Sequence, residues 1–542
     1  MSTTRSGSTS LKKLAMLALT AGLSLLSACG GDNDIAPVAD VLITGGQVFD
    51  GSGAPPIEAD VAIDGDKIFF VGDAAAAGIS ATRTIDARGE WVTPGFIDAH
   101  SHAELGKDYG RDALPYRRQG ITTVVLGLDG GGTPDIADTL SLWETRGIGV
   151  NGMMFVGHGA IRRRVMGMED REPSREDMRV MRGLVVKGME EGAFGLSTGL
   201  FYVPGTYAST EEVIELATVA ARYPGAIYDT HDRDLGAVYQ GVGYDASVAE
   251  AIRIGEEAGL PVVFSHYNPQ GAHNYDRGDD AARYVNEARA RGVDVWAAQH
   301  PYTATQSNLR SYTIPNWAAA GGQEAMISRF DDQAESARII ADTEAMLRIR
   351  GGADKILFVD PRPELNGRTL AEIAAQRELS PALAAQSVLR DGNASVMNLE
   401  LYDDTNTRRL AREAWMMTCT DGRTPRPDQP ITHPRTFGAF PKKMRMFVLD
   451  EALLAPEFVV RSFSGLAADF YRLADRGYLR EGYQSDVVVL DPENYRDLAT
   501  FAEPRRLATG VNYLFVNGQL SIDNGEVLDS YPGRALRRPE GS

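Results

Sequence analysis

The sequence predicts an α/β protein: a (β/α)8 TIM-type barrel beside a small β-sandwich formed by both chain ends. Two observations carry this reading. Short apolar runs, each closing on a polar residue or glycine, recur eight times between residues 94 and 455. A different, strand-and-turn pattern fills residues 40–93 and returns at 477–527. A near-continuous apolar run suits a parallel strand, because helices cover both faces of such a sheet.

Taken in order, the chain opens on an export signal rather than on structure. Arg5, Lys12 and Lys13 form a basic start, and the apolar stretch 14–26 is too short for a lasting membrane span. It ends in Leu26-Ser27-Ala28-Cys29, which resembles a bacterial lipobox. That resemblance implies loss of residues 1–28, lipidation of Cys29 and a tether over 29–39. Gly30, rather than an aspartate, after the cysteine points to the outer membrane. The expectation is a bacterial cell-envelope protein facing the periplasm, with a lipid anchor as its only membrane contact.

Residues 40–93 supply the first part of the β-sandwich, with a turn at Asp64-Gly65-Asp66 between strands 60–63 and 67–71. The barrel follows over 94–455. Its strands are expected at 95–100, 122–127, 152–158, 193–198, 226–231, 261–266, 293–300 and 415–421. Between them, Ser209-Thr210-Glu211-Glu212 reads as a capping box opening a helix over 213–223. Helical patterns also cover 247–257 and 280–290. The gap between the last two strands is too long for one crossover, so an insertion is expected at about 304–360 near the barrel mouth. A linking helix and the rest of the sandwich fill 456–542, with strands at 486–490 and 513–516 and a turn at Asn517-Gly518.

Composition narrows the function classes. The 542 residues are 43% hydrophobic and 24% charged, enough apolar material to exclude wholesale disorder. A net charge of −19 argues against a nucleic-acid partner. Two cysteines exclude a disulfide scaffold and a multi-cysteine metal site, and lipidation of Cys29 would leave Cys419 alone.

The histidines point to chemistry. Six of the eight, His100, His102, His158, His231, His266 and His300, fall at or just past the end of a predicted strand. That end of a barrel carries the active site. A buried core role explains any one of them, His158 and His300 most easily, but not the set. Residues i and i+2 of a strand end face the same way, so His100 and His102 can share one metal ion. His231 and His266 end strands five and six, Asp421 ends strand eight, and Asp129 follows strand two in Gly127-Leu128-Asp129-Gly130-Gly131-Gly132. Four imidazoles and two carboxylates on one rim suit one or two divalent ions, zinc first, with manganese, iron and cobalt still open. Such a site acidifies bound water and polarises a carbonyl.

These segments resemble the amidohydrolase superfamily, and within it the N-acyl-D-amino-acid deacylases. The resemblance rests on Pro94-Gly95-Phe96-Ile97-Asp98-Ala99-His100-Ser101-His102, and on Gly192 through Leu200 with Tyr202-Val203-Pro204-Gly205. His433-Pro434-Arg435-Thr436-Phe437-Gly438 and Gly477 through Asp486 extend it, over about residues 40–537. It implies the metal-loaded barrel, and hydrolysis of a linear amide in a small N-acyl amino acid or related compound. It also implies that Asp421 acts as proton shuttle for a metal-activated water. Arg435 and Tyr302, with His158 and Tyr202, are the expected substrate contacts.

Two positions depart from the family. Asp129 stands where a cysteine ligand is usual, which favours harder metals. Asn268 stands where a lysine usually helps to anchor the substrate α-carboxylate, leaving Arg435 as the charged partner. A dipeptidase or cyclic-amide hydrolase on the same site, and an inactive ligand-binding lipoprotein, remain the alternatives at this stage.

Overall fold

The computed structural model describes residues 38–236 and 241–539. The export signal, Cys29 and most of the tether lie outside the described residues. Among the described residues no helix is long and apolar enough to cross a membrane.

Both chain ends meet in one nine-stranded sheet. Val38–Val48 runs antiparallel to Ile57–Asp64 and parallel to Ser80–Asp86 and Trp91–Pro94. Trp91–Pro94 then pairs antiparallel with Val487–Leu490, which brings the C-terminal strands into the sheet. The turn chemistry fixes the register of the hairpins. Asp64 faces Lys67 across a two-residue loop. Val516 faces Gln519 across Asn517 and Gly518, whose φ values of 50° and 78° are what a tight hairpin turn demands. Alternate residues Val61 and Ile63 pack with Val487, Val489 and Phe515 into a buried cluster.

The eight apolar runs of the middle all form parallel strands. Phe96–Asp98, Ile121–Leu126 and Asn151–Met154 make one array. Val156–Gly157, Gly195–Gly199, Ile227–His231, Val262–Phe264, Val295–Gln299 and Met416–Thr418 make the other. The third run is thus split at Phe155, whose N–H donates to the Leu126 carbonyl at 2.9 Å. At the far side of the two arrays the Ala99 N–H donates to the Thr418 carbonyl at 3.2 Å. Strands Ile121–Leu126, Gly195–Gly199 and Ile227–His231 are buried at every position, their polar residues included.

The helices Thr210–Ala220, Tyr244–Ala258 and Gly278–Ala290 occupy the three segments with helical patterns. Only half of the expected capping box forms. Ser209 Oγ accepts the Glu212 N–H at 3.2 Å, but the Glu212 carboxylate turns away to His158 and Arg162. Between the last two parallel strands the chain builds a separate antiparallel sheet of Thr305–Asn308, Ser395–Asn398 and Ile356–Phe358, with its own apolar cluster. The excursion therefore reaches residue 398, beyond the 304–360 anticipated, because Ser395–Asn398 returns to pair with the opening strand.

Candidate metal centre and cleft

Parallel strands that end level with one another bring their last side chains together. His100 and His102 follow strand Phe96–Asp98, His231 closes Ile227–His231, and His266 follows Val262–Phe264. Asp129 and Asp421 follow Ile121–Leu126 and Met416–Thr418. His102 Nε2 lies 3.3 Å from Asp129 Oδ2 and 3.3 Å from Asp421 Oδ1. His100 Nε2 lies 3.5 Å from Asp129 Oδ1 and 3.7 Å from Asp421 Oδ1. His231 Nδ1 is 2.9 Å from His266 Nε2 and 3.7 Å from Asp129 Oδ1. All six predicted ligands are thus in one cluster.

The donor set fits a cation. Two triads, His100–Asp129–His266 and His100–His102–Asp421, each place ligand atoms within 4.8 Å of one another. His100 Nε2 and Asp129 Oδ1 are buried without a hydrogen-bond partner among the described residues, which is costly unless a metal ion takes both. Nitrogen and oxygen donors in this mix suit zinc. Burial would lower the His100 pKa, but Asp129 and Asp421 outweigh it and raise it to about 9. Asp421 is raised by burial, yet Arg435, His266, His102 and His100 together hold it well below the usual carboxylate range. The two carboxylates therefore draw positive charge towards the rim.

Both carboxylate positions are held in a left-handed backbone, with φ of 54° at Asp129 and 48° at Asp421. Aspartate tolerates this region better than most residues, and the surroundings enforce it. Asp98 accepts the Thr420 N–H at 2.7 Å, while the Asp421 N–H donates to the His100 carbonyl at 2.9 Å. Around Asp129, the Gly130 N–H donates to Ser197 Oγ at 3.1 Å. Ser197 Oγ donates in turn to Asp229 at 2.7 Å. A side chain at Gly199 would put its Cβ 2.2 Å from the Asp129 carbonyl oxygen, so the backbone there must be bare.

The substrate residues divide. Arg435, first residue of helix Arg435–Met444, places Nη1 2.5 Å from Asp421 Oδ2 and 3.2 Å from His300 Nε2. Tyr202 lines the cleft with its ring 4.7 Å from that of His231, and accepts a hydrogen bond from Ser307 Oγ at 3.4 Å. Tyr302 does not join them. Past Pro301 it lines a separate cavity of about 370 Å³ with Lys442 and Asp497. The residue beside Arg435 and Asp421 is His300, two positions earlier. Sequence reasoning had it among the strand-end histidines but gave it no role. His158 also stands behind the cleft wall, fully buried, with Nε2 2.9 Å from Glu212 Oε1. Glu212 and Arg162, which complete this buried group, were not anticipated. Asn268 turns to Thr407, donating to its Oγ1 at 2.8 Å.

The cluster opens into a cleft of about 920 Å³ lined by His102, Asp129, His231, His266, Asp421 and Arg435. Parallel strands, buried ligands at their ends and an open cleft above them define a metal-binding α/β enzyme. Comparison with known proteins narrows the class. The amidohydrolase family pattern matches residues 83–522. A D-aminoacylase of Alcaligenes xylosoxydans xylosoxydans is 32% identical over 522 residues, covering 92% of this chain and 98% of that protein. A solved D-aminoacylase described with a binuclear metal centre superposes with a TM-score of 0.78 at 32% identity, over 92% of this chain and 100% of that one. An N-acyl-D-glutamate deacylase of Bordetella bronchiseptica, solved with zinc and a phosphonate inhibitor, gives 0.78 at 28% identity, over 92% and 99%. The chain belongs to the amidohydrolase family, in its D-aminoacylase branch.

Proposed function

We propose that this protein is a metal-dependent amidohydrolase that cleaves the linear amide bond of N-acyl-D-amino acids, releasing a carboxylate and a D-amino acid. The observation that carries the reading is the strand-end cluster, in which His100 Nε2 and Asp129 Oδ1 are buried with no hydrogen-bond partner among the described residues and converge with the other ligand atoms where a cation would sit. Full-length similarity to relatives named for this activity supports it. His100, His102, Asp129, His231, His266 and Asp421 would hold one or two divalent ions, zinc first, which would supply an acidified water and a polarised carbonyl.

The chain's own residues do the rest. Asp421 takes a proton from the attacking water and gives it to the leaving nitrogen. Arg435, hydrogen-bonded to Asp421, keeps that carboxylate ionised and ready to accept. Arg435 also offers a charge to the substrate α-carboxylate, with His300 beside it in the place expected of Tyr302, since Asn268 brings none. Tyr202 closes the cleft over His231.

The same reading treats the two parallel arrays as one closed (β/α)8 barrel, joined through Phe155 and Ala99, and the terminal sheet as a β-sandwich. It also takes Cys29 as a lipid anchor in the outer membrane, on the lipobox-like Leu26-Ser27-Ala28-Cys29. The test of function is a panel of N-acetyl-D- and N-acetyl-L-amino acids given to zinc-loaded protein. Turnover of the D series over the L series is expected. Equal turnover of both, or turnover only of dipeptides or cyclic amides, contradicts the proposal.

A further inference from the structure

We propose that Asp229, one layer below the rim, is a positioning residue that holds Asp129, His231 and His266 ready for a cation. The inference rests on the metal-centre part of the proposed function and deepens it, by assigning one side of that centre its own support.

Asp229 lies on strand Ile227–His231, two residues before the ligand His231. Residues i and i+2 of a strand share a face, so Asp229 stands below that ligand on the same side of the sheet. It is 1% exposed, and among the described residues its hydrogen-bond partners are two buried serines. Oδ1 accepts the Ser197 hydroxyl at 2.7 Å and Oδ2 accepts the Ser265 hydroxyl at 3.2 Å. Each serine passes the constraint to a different part of the rim. With its proton given to Asp229, Ser197 Oγ accepts the N–H of Gly130, the residue directly after Asp129, at 3.1 Å. Ser265 directly precedes His266, and its own N–H donates at 3.0 Å to the carbonyl of Thr230, directly before His231. One carboxylate thus ties together the strand ends that carry three of the predicted ligands.

Two physical needs meet at this residue. Asp129 is held at a φ of 54°, and a residue other than glycine stays in that region only where its surroundings fix it. The turn is pressed so close to strand Gly195–Gly199 that a Cβ at Gly130 would stand 2.7 Å from the Gly199 nitrogen, and the Ser197 bond anchors it there. The second need is charge. A buried carboxylate answered only by hydroxyls is costly, and a cation on the rim above would answer it. The other side of the rim has a different support. Asp98 stands two residues before His100 and accepts the N–H of Thr420, directly before Asp421. The two sides are braced by different aspartates, so Asp229 should matter to one side alone.

The experiment titrates metal-free protein with zinc against a competing chelator, and with Co²⁺ followed by its visible absorption. Wild type is compared with Asp229→Ala and Ser197→Ala. Asp229→Ala should weaken zinc binding roughly tenfold or more, as loss of a partner behind metal ligands does, and should change the Co²⁺ spectrum. Ser197→Ala removes one hydroxyl only, so it carries the test if Asp229→Ala does not fold, and its zinc affinity should fall in the same direction. The side of the rim is read from two backgrounds. In His102→Ala protein the Asp229→Ala loss should persist, whereas in His231→Ala protein, where the supported side is already broken, it should shrink to less than about threefold. Zinc affinities within about twofold of wild type in both single variants, or equal losses in the two backgrounds, would overturn the assignment. The deacylase reading is judged apart from this. If zinc binding depends on Asp229 as described but no N-acyl-D-amino acid is hydrolysed, the support stands and the deacylase reading falls. If the D series is hydrolysed and zinc binding is indifferent to Asp229 and Ser197, the support is refuted and the deacylase reading is untouched.

Discussion

Asp421 combines three demands at one residue: it contacts His100 and His102, accepts from Arg435, and sits at a φ of 48°. Asp421→Asn keeps an oxygen donor and the backbone preference but removes the base. With metal content verified by elemental analysis, kcat is expected to fall by about 10²–10⁴-fold. Near wild-type kcat in the metal-replete variant would remove the shuttle role. At this scale the ligand set was legible, because a strand end fixes where His100, His102, His231 and His266 point. The choice between His300 and Tyr302 was not. Both follow the same strand, and the turn at Pro301 that carries Tyr302 into another cavity leaves no periodic signal. The partner of His158 was equally hidden, since Glu212 lies on a different helix and reads locally as half of a capping box.

The strands were legible as elements because eight buried apolar runs have little else they can be. Their glycines say more. Gly195 opens strand Gly195–Gly199, and a Cβ there would stand 1.9 Å from the Ile227 carbonyl oxygen of the next strand. Backbone cannot yield as a flexible side chain can, so Gly195→Ala should force the two strands apart. A loss of several kcal/mol, in the class of core overpacking, is expected in denaturant unfolding. A loss below about 0.5 kcal/mol, the range of an ordinary surface change, would contradict this reading of the strand contact. The end of the inserted unit was not legible. Ser395–Asn398 is short and partly polar, and only its long-range pairing with Thr305–Asn308 makes it a strand.

Across the whole molecule one buried charge links stability to pH. Lys443 is 1% exposed and donates to Thr418 Oγ1 at 2.6 Å and Ser462 Oγ at 3.3 Å, with no carboxylate paired to it among the described residues. Burial lowers its pKa from 10.5 to about 7. The unfolded chain keeps this proton up to the ordinary value and the folded chain releases it near 7. Stability is therefore penalised below 7 and recovers as pH rises towards 10.5, by at most about 1.4 kcal/mol per pH unit. Thr418 and Ser462 already bond each other at 3.0 Å, so Lys443→Met leaves them satisfied. The variant should be more stable than wild type near pH 6–7, with the gap closing towards pH 10. A gap that does not change with pH would contradict the assignment.

The fold, the cleft and the pattern of charge all converge on the claim that the six-residue rim works as a metal centre. The direct measurement is the rate of N-acetyl-D-amino acid hydrolysis by metal-free protein, prepared with chelator and checked by elemental analysis, as zinc is added back. Activity should be absent from the metal-free protein and return as the first one or two zinc equivalents bind, because His100 Nε2 and Asp129 Oδ1 have no hydrogen-bond partner among the described residues. Full activity in verified metal-free protein would contradict the account at its centre.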